Sequence, residues 1–208
     1  MKNIYHRYIN LPFEITKPPI CNLQLKEVKH QDIPYHREIA LEIWLEQFNL
    51  YVYGCECFFT PGGKALPVHV DAHRLDNHVK INQSWGPPEG TTRWWNVPNF
   101  NINDYTNDSF DKDLDPEKSN YYWGGLDEVQ QENRSIRVRE EDAELVYEAN
   151  TDKPSLVNVG TFHSSYNPTN QGRWTLCYII GKRSIQEDIP EKYLSWDEAE
   201  VIFKDYLI

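Results

Sequence analysis

The sequence contains no uninterrupted apolar run of the roughly eighteen residues that a membrane-spanning helix requires. Its first residues, Met1 to His6, also lack the continuous apolar segment of a secretory signal peptide. Basic residues are in deficit, because 32 acidic residues outnumber 21 lysines and arginines and give a formal net charge of −11. A negative field of this kind repels nucleic acids and anionic membrane surfaces. We therefore expect a soluble, cytoplasmic protein with neither a membrane nor nucleic acid among its partners.

Cysteines are also few, and their spacing excludes two kinds of site. Cys55 and Cys57 stand two residues apart, with Cys21 and Cys177 far from them, so the sequence has neither a CxxC pair nor a paired zinc motif. In a cytosolic chain such thiols are expected to be reduced and partly buried. Apolar residues at 39% and aromatic residues at 13% exclude a disordered chain. With 208 residues and no internal repeat, we predict a single domain over residues 1–208.

Hydrophobic patterns predict a mainly β protein with a helix near each end. Apolar residues recur at helical spacing over residues 36–49, and Ser195 and Glu198 form the capping-box pattern of a second helix. Strands are predicted at residues 50–59, 65–71, 78–82, 144–147, 155–162 and 173–180. Because alternating βαβ units are absent, this order favours a β-sandwich or jelly roll over a Rossmann-type sheet.

Residues 96–120 are rich in Asn, Asp and Pro and predict a long acidic loop or lid. Asp111, Asp113 and Asp115 lie close together there, but the stretch lacks the glycine and the terminal glutamate of an EF-hand. We interpret it as a solvated loop rather than a calcium site. Loops of this length in compact domains are usually functional or mobile.

His69, Asp71 and the distant His163 are the candidate metal ligands. On a strand, His69 and Asp71 project from the same face, because side chains alternate with a period of two. With one further histidine such a pair makes a facial triad, which suits iron(II) and leaves coordination positions open for a co-substrate and dioxygen. An HxD pair alone is weak support, since His69 as a hydrogen-bonded strand histidine and His163 as a loop histidine are simpler interpretations.

Arg173 and Thr175 follow on a strand-like segment, RWTLCYII, and share one of its faces. A guanidinium and a hydroxyl two residues apart can hold a carboxylate through a bidentate ion pair and one further hydrogen bond. A buried arginine without a protein partner would be costly, which favours an anionic ligand. The simpler alternative pairs Arg173 with one of the 32 acidic residues.

Taken in order, these motifs resemble those of the iron(II)- and 2-oxoglutarate-dependent dioxygenases. The resemblance covers roughly residues 50–180, with PGG at 61–63 before the HxD strand, TRWW at 92–95, and NVGTFHSSYNPTNQGRWTLCYII at 158–180. It is strongest for small prolyl-hydroxylase-like members, including those encoded by bacteriophages. That family has a double-stranded β-helix, a jelly-roll, cupin-like fold. The resemblance assigns His69, Asp71 and His163 to iron, and Arg173 and Thr175 to the distal carboxylate of 2-oxoglutarate.

The resemblance also implies the cofactors and the reaction. Iron(II), 2-oxoglutarate and dioxygen would together hydroxylate a C–H bond, with release of succinate and carbon dioxide. A ligating carboxylate at Asp71 favours hydroxylation, because related halogenases have a small residue at that position. The expected partners are therefore the small-molecule co-substrate and a prime substrate that is a protein side chain or a small molecule.

Two features depart from the family pattern. Many members have a tyrosine that touches the co-substrate two residues before the PG turn, where this chain has Phe59. The next strand carries an unusual polar face formed by His78, Lys80 and Asn82. Lys80 or Asn82 would supply a replacement donor, or this face would be turned to solvent, and the sequence favours neither alternative.

Arg74, Arg93, Trp94 and Trp95 flank the motifs as candidate substrate contacts, although such tryptophans more often belong to a core. The acidic stretch at 96–120 favours a basic or neutral substrate, and a peptidyl proline fits the resemblance by analogy.

Two other functions stay open. One is a non-catalytic jelly-roll binding module, and the other is a cupin-type metalloenzyme that does not use 2-oxoglutarate.

Overall fold

Fourteen strands, two α-helices and two short 3₁₀ helices (Pro19–Asn22 and Glu140–Asp142) make up the regular structure in the computed structural model, which describes residues 3–33, 36–71, 78–98, 121–124, 135–183 and 192–208. The helices are α1 (Ile39–Glu46) and α2 (Trp196–Ile202). The strands are β1 (His6–Tyr8), β2 (Lys29–Asp32), β3 (Leu50–Thr60), β4 (Lys64–Ala65), β5 (Val68–Val70), β6 (Val79–Trp85), β7 (Thr91–Asn96), β8 (Tyr121–Gly124), β9 (Ser135–Val138), β10 (Glu144–Ala149), β11 (Ser155–Asn158), β12 (His163–Asn167), β13 (Arg173–Lys182) and β14 (Lys192–Tyr193). No helix in these ranges is long and apolar enough to cross a bilayer.

The strands form two antiparallel sheets. The first sheet has the order β1-β11-β6-β13-β3-β2, with β14 beside β13, and the second has the order β10-β7-β12-β5-β9-β8, with β4 beside β12. From β3 to β7 the chain alternates between the sheets through β5 and β6, and it alternates again from β10 to β13. This winding is that of a double-stranded β-helix, so the predicted jelly-roll fold is confirmed.

The largest core lies on the outer face of the first sheet, where both helices cover it. Leu41, Trp44 and Leu45 of α1 are buried there, and the Trp44 ring stacks on Phe203 with centroids 4.9 Å apart. Helix α1 is shorter than the predicted 36–49, and Ile43, which belongs to the predicted apolar stripe, is 58% exposed. The helix packs on one sheet only, so a narrower stripe is enough to anchor it.

Helix α2 begins as its sequence pattern predicts. Ser195 Oγ accepts a hydrogen bond from the backbone N–H of Glu198, and the Glu198 carboxylate accepts one from the backbone N–H of Ser195 at 3.1 Å. Trp196, Ala199 and Phe203 bury the inner side of this helix. Its cap satisfies backbone donors that would otherwise lack partners.

Most predicted strands are present, but the prediction differs from the structure around the site. The predicted strand 65–71 is divided into β4 and β5, because Leu66 and Pro67 separate them and Asp71 follows the end of β5. The sequence pattern does not predict strand β7, since neighbouring Trp94 and Trp95 are both buried and the segment lacks a period-two pattern. The predicted acidic loop lies outside the described residues from residue 99 onward.

The cysteine prediction agrees with the structure. Cys21, Cys55, Cys57 and Cys177 are all buried and form no disulfide. Cys177 lies on β13 and faces the space between the sheets, where the candidate site is found.

Candidate metal centre

The jelly roll brings the two candidate histidines side by side. His69 in β5 and His163 at the start of β12 are direct partners in the antiparallel register, and their ring centroids are 4.4 Å apart. Asp71 follows His69 by two residues and therefore lies on the same face. The second sheet thus brings His163 next to His69, which is far from it in the sequence, and Asp71 joins them just after the end of β5.

The three side chains converge on a common point. Their ligating atoms all lie within 4.8 Å of one another. Asp71 Oδ1 is 3.3 Å from His69 Nε2 and 3.8 Å from His163 Nε2. Two imidazole nitrogens and one carboxylate oxygen at these separations fit a divalent transition-metal ion.

Both histidines are oriented by their second ring nitrogen. His69 Nδ1 lies 2.8 Å from the carbonyl oxygen of Pro67, and His163 Nδ1 lies 2.9 Å from that of Thr161. Since a carbonyl only accepts, each Nδ1 carries the proton and each Nε2 is left with a free lone pair directed at Asp71. Hydrogen bonds of this type fix the tautomer and the ring orientation of metal-binding histidines.

The protonation states also suit metal binding. Burial, with His69 nearby, lowers the pKa of His163 to about 3, so this imidazole is neutral at pH 7. Burial alone would raise the pKa of Asp71, but the Lys80 ammonium holds that pKa well below its ordinary value. The cluster therefore offers a carboxylate and a neutral His163 with a free Nε2, as metal ligation requires.

Lys80 is the unexpected member of the site. Its Nζ lies 2.7 Å from Asp71 Oδ2 and 2.8 Å from Glu56 Oε2, and the residue is only 4% exposed. Burial alone would lower the pKa of Lys80, but Asp71 and Glu56 raise it, so the ammonium stays charged. The solvent-facing alternative for the polar face of β6 is wrong: His78, Lys80 and Asn82 are all buried, because β6 lies between β11 and β13 with both its faces covered.

A cavity of about 50 Å³, enough for several water molecules, adjoins the three candidate ligands. Beside the candidate ligands, its polar lining consists of Lys80, Asn82 and four hydroxyl residues, Thr92, Ser164, Ser165 and Thr175. Phe58, Leu66, Val159 and Cys177 complete the lining. The cavity therefore places hydroxyl groups, an amide and an ammonium beside the cluster.

The interpretation of Phe59 is corrected by the strand register. Phe59 pairs with Trp174 and packs against it on the outer face of the first sheet, where it is fully buried. Its neighbour Phe58 pairs with Thr175 and faces the cavity instead. A hydroxyl at position 59 would consequently be turned away from the site, so the missing tyrosine does not remove a contact there.

Arg173 begins β13 on the same face as Thr175 and is 2% exposed. Its Nη2 donates to Thr151 Oγ1 at 2.9 Å, whereas Nη1 has no hydrogen-bond partner among the described residues. Burial lowers its pKa to about 10, which still leaves the guanidinium charged at pH 7. Asp152 attracts the guanidinium electrostatically and partly offsets the effect of burial on its pKa, but no carboxylate of the described residues lies within ion-pair distance of Arg173.

A chain of hydroxyl groups links Arg173 to the cavity. Ser84 Oγ lies 2.7 Å from Thr151 Oγ1 and 2.8 Å from Thr175 Oγ1. Thr175 lines the cavity, whereas Arg173 does not and lies further along the strand. Ser84 and Thr151 were not singled out from the sequence, because isolated hydroxyl residues carry no recognisable spacing.

The other candidate substrate contacts, where the structure describes them, make contacts within the protein itself. Trp94 and Trp95 are buried, and their indole N–H groups donate to the Asn158 carbonyl and to Ser164 Oγ. Arg93 lies over the Tyr166 ring at 3.6 Å. Arg74 is outside the described residues.

Comparison with known proteins assigns the chain to no family. No protein-family model matches the chain, and no curated protein matches it. The solved structure described as "Non-heme monooxygenase, ThoJ-Ni complex" is 15% identical, with a TM-score of 0.30, over 76% of this chain and 57% of that one. A second, "non-heme monooxygenase; ThoJ apo", is 15% identical, with a TM-score of 0.33, over 80% of this chain and 67% of that one. The functional argument therefore rests on the site itself.

Proposed function

We propose that this protein is an iron(II)- and 2-oxoglutarate-dependent oxygenase that hydroxylates a C–H bond of a protein side chain or a small molecule. The observation that supports it most is the convergence of two imidazole Nε2 atoms and one carboxylate oxygen at a cavity between the sheets. A carboxylate with two neutral imidazoles is the donor set of non-heme iron oxygenases.

His69, Asp71 and His163 would hold the iron. When bound, iron(II) supplies the redox chemistry that couples decarboxylation of 2-oxoglutarate to hydroxylation of the substrate. The Pro67 and Thr161 carbonyls keep both imidazoles in the tautomer that leaves Nε2 free. The chain thus presents its ligands without having to reorient them.

Arg173 and Thr175 would hold the far carboxylate of the co-substrate. The partnerless Nη1 of Arg173 supports this role, because a buried guanidinium is costly until an anion pairs with it. Thr175 Oγ1 already faces the cavity and is oriented by Ser84. Phe58 and Val159 would add apolar contacts on part of the cavity wall.

Formation of succinate from 2-oxoglutarate tests the proposal, with ferrous iron and ascorbate added. Wild type should produce succinate, and His163→Ala should not. His36→Ala, which removes a histidine outside the cavity, should retain the activity and serves as the matched control. Since turnover without the prime substrate can be slow, binding of metal and 2-oxoglutarate should be measured on the same samples.

The outcomes separate the three functions. Wild type that neither binds nor turns over 2-oxoglutarate contradicts the proposal. Metal binding with no effect of 2-oxoglutarate would instead support a cupin-type metalloenzyme. Absence of metal binding as well would support a non-catalytic module.

A further inference from the structure

The two oxygens of the Asp71 carboxylate have different partners. Oδ1 faces the Nε2 atoms of His69 and His163, whereas Oδ2 lies 2.7 Å from Lys80 Nζ. Lys80 in turn contacts Glu56 Oε2 at 2.8 Å. We infer that Lys80 and Glu56 are positioning residues for the metal ligand Asp71, an inference that rests on the metal site of the proposed function.

The contact between Lys80 and Glu56 spans one strand of the first sheet. Lys80 lies on β6 and Glu56 on β3, and β13 runs between these two strands. Strands in a sheet are about 4.8 Å apart, so the two side chains must reach across roughly 10 Å over β13. Cys177, which pairs with Glu56, is a small side chain on the same face and leaves room for the contact.

Lys80 would limit Asp71 to one metal-binding oxygen. Burial leaves the ammonium little water to bind instead, because Lys80 is only 4% exposed. Turning Oδ2 toward a metal would therefore break a buried charge-assisted contact. With three single-atom ligands, an octahedral ion keeps three positions open, as a chelating 2-oxo acid and dioxygen together need.

The negative charge of Glu56 would offset the positive charge of Lys80 near the metal. An ammonium beside a divalent cation repels it, and Asp71 and Lys80 alone sum to zero charge. With Glu56 the three groups carry a net charge of −1, which attracts the metal. Glu56 lies in the apolar strand LYVYGCECFFT, and a lone acidic residue there is the sequence signal that could have revealed it.

Manganese(II) provides a test that does not depend on 2-oxoglutarate or on turnover. Its bound water molecules enhance the relaxation of solvent protons in proportion to their number, and titration gives the affinity. In Lys80→Met, Asp71 should bind through both oxygens and displace one of three waters, so the enhancement per bound ion should fall by about a third. In Glu56→Gln, which keeps the shape, the affinity for manganese(II) should fall by about tenfold or more.

Lys182→Met is the matched control, because it removes a lysine that contacts Glu198 at 2.7 Å away from the cavity. It should leave both readouts at wild-type values. Unchanged affinity in Glu56→Gln, or unchanged relaxation in a folded Lys80→Met, would overturn the inference and show that the pair only satisfies buried charges. If wild type binds no metal, the metal centre itself is wrong, and the inference falls with it.

Discussion

Replacing Arg173 by methionine should weaken co-substrate binding without destabilising the ligand-free protein. The side chain is 2% exposed, makes one hydrogen bond to Thr151, and has no ion-pair partner among the described residues. An arginine that served the fold would be paired, and its loss would cost about 3–5 kcal/mol. An arginine that serves a ligand leaves the fold with an unpaired charge until the ligand binds.

The two expected effects differ in size. In the ligand-free protein, Arg173→Met removes a buried charge that Asp152 offsets only in part, but it also loses a charge-assisted hydrogen bond to Thr151 worth about 1.5–3 kcal/mol. Because these two contributions oppose each other, we expect the free energy of unfolding to stay constant within about 1 kcal/mol. For 2-oxoglutarate, two charge-assisted hydrogen bonds of about 1.5–3 kcal/mol each would be lost, so Kd should increase on the order of 100-fold or more.

Urea unfolding measures the change in the free energy of unfolding. Anaerobic titration of 2-oxoglutarate into the iron(II) protein measures the change in Kd, and the weak charge-transfer absorption of the iron chelate reports binding. Arg173→Lys keeps the charge but loses the planar guanidinium that binds a carboxylate through two hydrogen bonds, so its affinity for 2-oxoglutarate should be intermediate. Arg183→Met, at an exposed arginine that contacts Glu46, is the matched control and should change neither quantity much. Equal affinities in all variants, together with a destabilised Arg173→Met, would refute this reasoning and favour the cupin-type alternative.

Four further predictions concern neighbouring and distant residues. Gly90→Ala should weaken 2-oxoglutarate binding while metal affinity stays constant, because an added Cβ would overlap Cδ of Arg173; equal co-substrate affinity would count against it. Burial, with a smaller contribution from Arg7, lowers the pKa of His6 from 6.5 to about 4, so the unfolded chain takes up a proton first as the pH falls. Stability should therefore decrease by about 2 kcal/mol between pH 7.5 and 5 relative to His6→Leu, as urea unfolding would show. Leu45→Ala removes a fully buried side chain and should cost about 2–5 kcal/mol in the same assay, and a cost below about 1 kcal/mol would contradict its place in the core. Ser195→Ala should cost about 1 kcal/mol through loss of the cap, whereas Ser195→Asp should retain most of the stability.

Local patterns were sufficient for much of the fold. Period-two alternation places His69 and Asp71 on one face, and the capping-box pattern locates the start of α2. Both depend on residues within a few positions of each other, which is why the sequence alone predicts them. The jelly-roll class follows from short strands without βαβ units.

Long-range placement was less accessible from the sequence. The pairing of His163 with His69 joins β12 to β5 across more than 90 positions, and no local spacing encodes it. The spacing of Phe59 to the PG turn suggested a position near the co-substrate, but the register with β13 turns Phe58 inward instead. Lys80 faces the interior because β6 is covered on both sides, which a polar period-two pattern does not reveal.

Anaerobic equilibrium dialysis against iron(II) tests the central claim most directly, because the account depends on His69, Asp71 and His163 forming one metal centre. Wild type should bind one iron per chain, whereas His69→Ala, Asp71→Ala and His163→Ala should each lose at least about 100-fold in affinity and stay folded. Iron binding of equal strength in wild type and all three variants, or no binding by wild type, would contradict the account.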